Sequence, residues 1–194
     1  MLDAHYFEHF LKLANKYIKT TLLRMDYKQQ SNQGCLVVDL LYLFHIEPTR
    51  SKEQDILSDG LFRLRENYTL GCLLAFLDRY TDASITLYVD NGYYLKILDK
   101  LVDHPRITMV QAKNDKTLLA SLEAPFIVYV DNNITDGWTH LPHFMMVTKA
   151  TEKFYEVFDP WVGKTIKISK EKLLHGIDLL RDHVKICPFV IIAS

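Results

Sequence analysis

Cysteine is scarce in this chain: Cys35, Cys72 and Cys187 are the whole complement. An odd, widely spaced set cannot pair completely into a disulfide framework, and it lacks the ligand spacing of a structural metal cluster. It reads as reduced and intracellular. Neither sign of charge is in excess, with 23 basic against 24 acidic residues and a net charge of −1. That removes the electrostatic case for nucleic acid or an anionic membrane as partner. No apolar run reaches the roughly 18 residues of a membrane span. The opening MLDAHYFEHFLKLANKYIK lacks the basic-then-apolar plan of a signal peptide. Repeats, low-complexity tracts and linkers are also missing. The expectation is a cytoplasmic, soluble protein of one domain, residues 1–194, with a candidate inserted α/β segment at about 84–123.

What is present is an ordinary globular balance, 48% hydrophobic and 24% charged. Tyr6, Phe7, Phe10, Leu11, Ala14, Tyr17 and Ile18 recur at threes and fours, a helical stripe. A polar loop over 27–32 leads into GCLVVDLLYLFHI, a mostly apolar helix closed by Glu47-Pro48. A helix over 51–67 opens on Ser51 with Glu53 in its first turn, and YTLGCLLAFLDRY makes another. The second half turns to β-branched and aromatic runs at 84–89, 107–111, 126–131, 143–150, 154–160 and 164–169. Helical segments at 92–103, 114–123 and 170–182 interrupt them, and KICPFVIIA is a last strand. Helices first, then a mainly antiparallel sheet, is an α+β plan.

Thiol catalysis needs a thiolate, a base, a group to orient the base, and donors for an oxyanion. Cys35 is the nucleophile candidate: it follows Gly34 and stands where a helix begins, at the end carrying unsatisfied N–H groups and partial positive charge. A histidine partner there lowers a thiol's pKa. His143 opens the alternating run HFMMVTK, in which Phe144 and Met146 face one side and Met145 and Val147 the other. Asp159 ends the next strand of the apparent hairpin, so the two meet across an antiparallel ladder. Gln29 and Gln30 precede the cysteine helix and offer amide donors. Singly, each has an ordinary structural reading: a packed thiol, a satisfied histidine, a turn aspartate, solvated glutamines.

Together, Gln29, Cys35 six residues on, then His143, then Asp159-Pro160 sixteen residues after the histidine, resemble the papain-like cysteine peptidases. The nearest likeness is to the double-glycine leader (bacteriocin-processing) peptidases and stand-alone domains related to them. HFMMVTKATEKFYEVFDPWVGK is the most specific stretch, resembling that family's His-strand, turn, strand and Asp-Pro-x-x-Gly block. The resemblance covers 26–47 and 126–169 and is weak between them. It implies a papain-like fold, with the cysteine helix packed on a mainly antiparallel sheet. It also implies roles: Cys35 nucleophile, His143 base and acid, Asp159 orienter, Gln29 oxyanion donor, with Trp161 shielding the His–Asp bond. Gly34 and Leu36 stand where the family usually has Asp and Gly.

The implied activity is a cysteine peptidase or amide hydrolase acting on a peptide or protein through an acyl-thioester, with no cofactor and no metal. The alternatives are an inactive papain-like module that binds a peptide or protein, or a thiol acyltransferase or deamidase with the same triad. Cys72 and Cys187 read as inert packed thiols. His140 and His143 in HLPH do not read as a metal pair, because Pro142 and a strand start break the helical geometry that would align them. No Gly-x-Ser-x-Gly nucleophile elbow occurs. Lys164, Lys167, Lys170 and Lys172, and the lysines beside aromatics in GYYLKILDKL, read as solvated surface.

Overall fold

The computed structural model describes residues 24–194. The stripe over residues 6–18 lies outside the described residues. Among the described residues, three helices come first: α1 (Cys35–Leu43), α2 (Arg50–Arg63) and α3 (Tyr68–Tyr80). Then follow β1 (Ile85–Val89), α4 (Gly92–Leu101), β2 (Ile107–Gln111), α5 (Lys116–Ser121) and β3 (Phe126–Asp131). A short α6 (Asn133–Asp136) leads to β4 (Pro142–Ala150), β5 (Phe154–Asp159) and β6 (Lys164–Ser169). The chain closes with α7 (Lys170–Leu179), a π-helical turn (Leu180–Val184) and β7 (Phe189–Ala193). This is the α+β plan expected from the sequence, and it is consistent with a papain-like fold.

All seven strands form one sheet in the order β2-β1-β7-β3-β4-β5-β6. Only β1 and β2 pair in parallel; every other neighbour is antiparallel. The strands of the 84–123 segment are therefore the outer strands of the same sheet, joined to it through the C-terminal β7. The sheet is covered on both sides. One face packs Phe144, Met146, Phe158, Ile127 and Phe189 under Cys35–Leu43 of α1 and residues of α2, α3 and α4. The other packs Met145, Val147, Val157, Val128 and Val190 under Leu119 of α5 and Leu173 and Ile177 of α7. Two buried faces explain why FIVYVD reads as a continuous apolar run instead of an alternating one.

Helix bounds depart from the expectation at α2, which runs Arg50–Arg63 and not 51–67, and at α5, which runs Lys116–Ser121 and not 114–123. Thr49, not Ser51, caps α2 by accepting from the Lys52 N–H. Ser51 instead pairs with Asp55 on the helix surface. Asn67 caps α3, Asn91 caps α4 and Asp115 caps α5, each through its side-chain oxygen. Cys187 lies just before β7, not in it.

The turn after β5 anchors the loop that precedes α1. Gly163 adopts φ +68°, a conformation other residues rarely take. Its N–H donates to the Asp159 carbonyl at 2.9 Å. A β-carbon there would stand 2.9 Å from the Asp26 carbonyl oxygen and 2.9 Å from the Lys28 nitrogen. The Gln29 N–H donates to the Pro160 carbonyl at 2.9 Å, completing the junction. Gly163→Ala therefore costs strain and close contact together, about 1–3 kcal/mol for the backbone conformation alone. Chemical denaturation checks this, and an unchanged midpoint would contradict it.

Candidate active site

The Asp159–His143 contact sits at one end of the sheet. Met146 pairs with Phe158 across β4 and β5, so His143 and Asp159 both lie toward the same end of that ladder. By the pleat, His143 shares the side of Met145 and Val147, away from α1. The ring nonetheless acts on the cysteine at the first residue of α1. The His143 Nε2 stands 2.9 Å from Asp159 Oδ1, with both side chains buried. With Nε2 committed to the carboxylate, Nδ1 is the ring atom left to face the sulfur, and His143 is the group that lowers the Cys35 thiol. The Trp161 N–H donates to the same Asp159 Oδ1 at 2.9 Å. The Trp161 ring meets His143 edge-on, with centroids 6.5 Å apart.

Electrostatics favour a charged pair. Burial raises the Cys35 pKa, but the hydrogen bond and positive charge of His143, with the backbone N–H groups of Phe144 and Leu36, bring it below the ordinary thiol value. Burial works against the His143 charge in turn. The hydrogen bonds to Asp159 and Cys35 and their negative charges outweigh it, and the imidazole pKa rises well above its ordinary value. A lowered thiol beside a raised imidazole favours the thiolate–imidazolium form of the pair. The other thiols go the opposite way. Burial pushes fully buried Cys72 up to about 12 and also raises Cys187.

Cys35 and His143 open on a cleft of about 600 Å³. Its walls are largely apolar and aromatic: Leu36, Tyr68, Tyr129, Leu141, Phe144 and Trp161. Tyr129 and Phe144 stack with centroids 3.9 Å apart. Tyr68 is fixed by donating to the Gln33 carbonyl at 2.9 Å. Gln33 and Asn32 form the wall on the loop side.

Of the two candidate glutamines, Gln29 is buried and Gln30 is exposed with its amide on the Lys28 carbonyl. The Gln29 Nε2 donates to the Ser31 carbonyl at 2.7 Å, leaving one amide N–H uncommitted and Oε1 without a partner. Gly34 is held to glycine by the packing of a neighbouring carboxylate. A β-carbon there would lie 2.1 Å from Glu53 Oε1. The histidines of HLPH go separate ways, His140 Nδ1 to Asp131 at 2.7 Å and His143 to Asp159. Among the described residues, no group of three or more His, Cys, Asp or Glu is placed to hold a metal ion.

Glu53 and Asp39 are buried acids near the site that sequence alone does not single out as functional. For Glu53 the sequence offers only a favourable first-turn charge. Asp39, one helical turn after Cys35, is fully buried with neither carboxylate oxygen hydrogen-bonded. One acid inside CLVVDLLYL was the available signal. Burial chiefly raises its pKa well above the carboxylate range; the Cys35 and Asp159 charges add to this, and that of His143 opposes it.

Residues 82–176 match the model of the Peptidase C39 family, just under half of the chain. The match takes in His143, Asp159 and the 84–123 segment, and stops short of Cys35 and Gln29. It supports the papain-like cysteine-peptidase resemblance and makes the chain cysteine-peptidase-like in general function. No curated protein sequence matches it.

Asp39 gives a pH test with a definite sign. Below the ordinary carboxylate range Asp39 is protonated folded and unfolded, and contributes no pH dependence. As pH rises the unfolded chain ionises first while the folded one keeps its proton, so stability falls. Asp39→Asn removes that loss, so its denaturation midpoint gains on wild type between acidic and neutral pH. A difference that stays flat or narrows contradicts a buried neutral acid.

Proposed function

We propose that this chain, cysteine-peptidase-like over residues 82–176, is an amide hydrolase acting on peptides or proteins through an acyl-thioester on Cys35. The observation that carries this reading is the buried His143–Asp159 bond, with Cys35 and His143 both lining an apolar cleft. The Cys35 thiolate attacks the amide carbonyl, and the carbonyl oxygen takes up the negative charge. The backbone N–H of Cys35 and the uncommitted amide N–H of Gln29 hold that oxyanion, where one donor is worth about 10²–10³ in rate. Imidazolium His143 gives its proton to the leaving amine, and the C–N bond breaks to leave the thioester. Neutral His143 then takes a proton from water as the water attacks. The acid leaves and the thiolate is restored. Asp159 holds the ring through Nε2 and stabilises its charged form.

Three free cysteines support a reducing, cytoplasmic setting. No helix among the described residues is long and apolar enough to cross a membrane. One observation favours a second reading. The Gln29 amide already bonds the Ser31 carbonyl, which suits a module that binds a peptide in the cleft without cleaving it.

Incubation with a diverse peptide mixture, read by mass spectrometry, separates the readings. Wild type produces new termini, and a thioester adduct on Cys35 is trapped by acid quench. Cys35→Ala produces neither, and His143→Ala slows turnover by about 10²–10⁴-fold. Side-chain acids or amine-linked products in place of new termini would indicate the deamidase or acyltransferase alternative. Peptides retained intact by wild type and Cys35→Ala alike would contradict hydrolysis and favour the binding module.

A further inference from the structure

Glu53 on α2 is fully buried, and the chemistry above gives it no part. Its carboxylate faces the loop before α1 and accepts only from neutral donors there. Tyr27 Oη–H donates to Oε2 at 2.9 Å. The Gln30 N–H reaches both oxygens at 3.0 Å, and the Ser31 N–H reaches Oε1 at 2.8 Å. The absent side chain of Gly34 leaves the space that Oε1 fills. A carboxylate taken out of water without an opposite charge must be met by such donors, so it fixes the backbone that supplies them.

What it fixes is the oxyanion side of the site. Ser31, held through its N–H, turns its carbonyl to two neighbours. It accepts from Gln29 Nε2 at 2.7 Å and from the Gly34 N–H at 3.0 Å. One of these carries the candidate oxyanion donor, and the other immediately precedes Cys35. Nothing in this chain of contacts touches His143 or Asp159. The His143–Asp159 side chains that chiefly support the thiolate and the Glu53 carboxylate that aims the oxyanion donors thus belong to different hydrogen-bond sets.

We propose that Glu53 is a positioning residue for acyl transfer at Cys35: through Ser31 it sets the Gln29 amide and the start of α1 in register, without a part in forming the thiolate. This rests on the acyl-thioester reading above. Two reagents distinguish the two functions. With p-nitrophenyl acetate the sulfur attacks the acetyl carbonyl, a C–S bond forms through a tetrahedral oxyanion, and p-nitrophenolate leaves with the electron pair of the broken C–O bond. With iodoacetamide the sulfur displaces iodide from carbon, and no oxyanion develops. The ratio of the two rates at Cys35 therefore reports the oxyanion side alone.

Glu53→Gln substitutes an amide with one acceptor oxygen for a carboxylate with two, and lowers the acylation rate about ten-fold or more. Its alkylation rate, and the pH dependence of that rate, stay within about two-fold of wild type. Tyr27→Phe, which removes one donor to the carboxylate, lowers the ratio in the same direction by less; it decides the matter if Glu53→Gln does not fold. A wild-type burst of p-nitrophenolate with an unchanged ratio in the folded variants overturns this proposal alone. Equal loss of acylation and alkylation overturns it too, since Glu53 would then act on the thiol itself. A wild type with no burst overturns the acyl-thioester reading, and this proposal with it.

Discussion

Under the acyl-thioester reading, the sulfur that must carry charge has been placed where burial opposes charge. Cys35 is only 8% exposed, and desolvation is the largest influence on its thiol. The hydrogen bond to His143 and the charge of its ring reverse that influence. His143 is itself buried, and its charge is supported by Asp159 2.9 Å from Nε2 together with Cys35. Burial alone would push both Cys35 and His143 toward their neutral forms. Cys72 makes the contrast: it too follows a glycine on an apolar helix, has no histidine, and is pushed up to about 12. The local sequences are similar, and a partner more than a hundred residues away separates them.

Much of the architecture exists to bring those partners together. α1 is buried along its whole length against the sheet, which fixes its first residue at one end of β4. The β4–β5 hairpin carries His143 in and Asp159 back to the same end. The turn beyond Asp159 then ties itself to the loop before α1, through Gly163 against Asp26 and Lys28 and through Pro160 to the Gln29 N–H. Tyr42 on α1 accepts from the N–H groups of Asp26 and Tyr27, and Glu53 on α2 accepts from those of Gln30 and Ser31. Three elements distant in sequence therefore hold one loop of few residues. That loop has no regular structure of its own to keep its shape.

The sequence made legible what repeats locally or follows chain order. β4, β5 and β6 show in their β-branched and aromatic runs, and the His-to-Asp spacing survives because a hairpin is local. The apolar stretch after Gly34 announces α1. The position of β7 between β1 and β3 was not legible, because strand order is set by long-range packing of faces that look alike. Nor was the function of Gly34: its missing β-carbon answers to a carboxylate nineteen residues further on. His143 shows the limit of alternation. Its parity predicts the face away from α1, yet its ring is the one that acts on Cys35 at the start of α1. Gln29 could be picked out as a candidate amide, but not its bond to Ser31, which depends on a loop shaped by Glu53.

The most direct test of the charged pair is a pH titration of thiolate absorbance in the far ultraviolet, comparing wild type with Cys35→Ser and His143→Ala. With Cys72 and Cys187 both shifted upward, only Cys35 contributes at neutral pH. The expected result is one thiolate in the wild type that persists from neutral into mildly acidic pH and is missing from both variants. A wild-type trace that matches Cys35→Ser until ordinary thiols begin to ionise would contradict it.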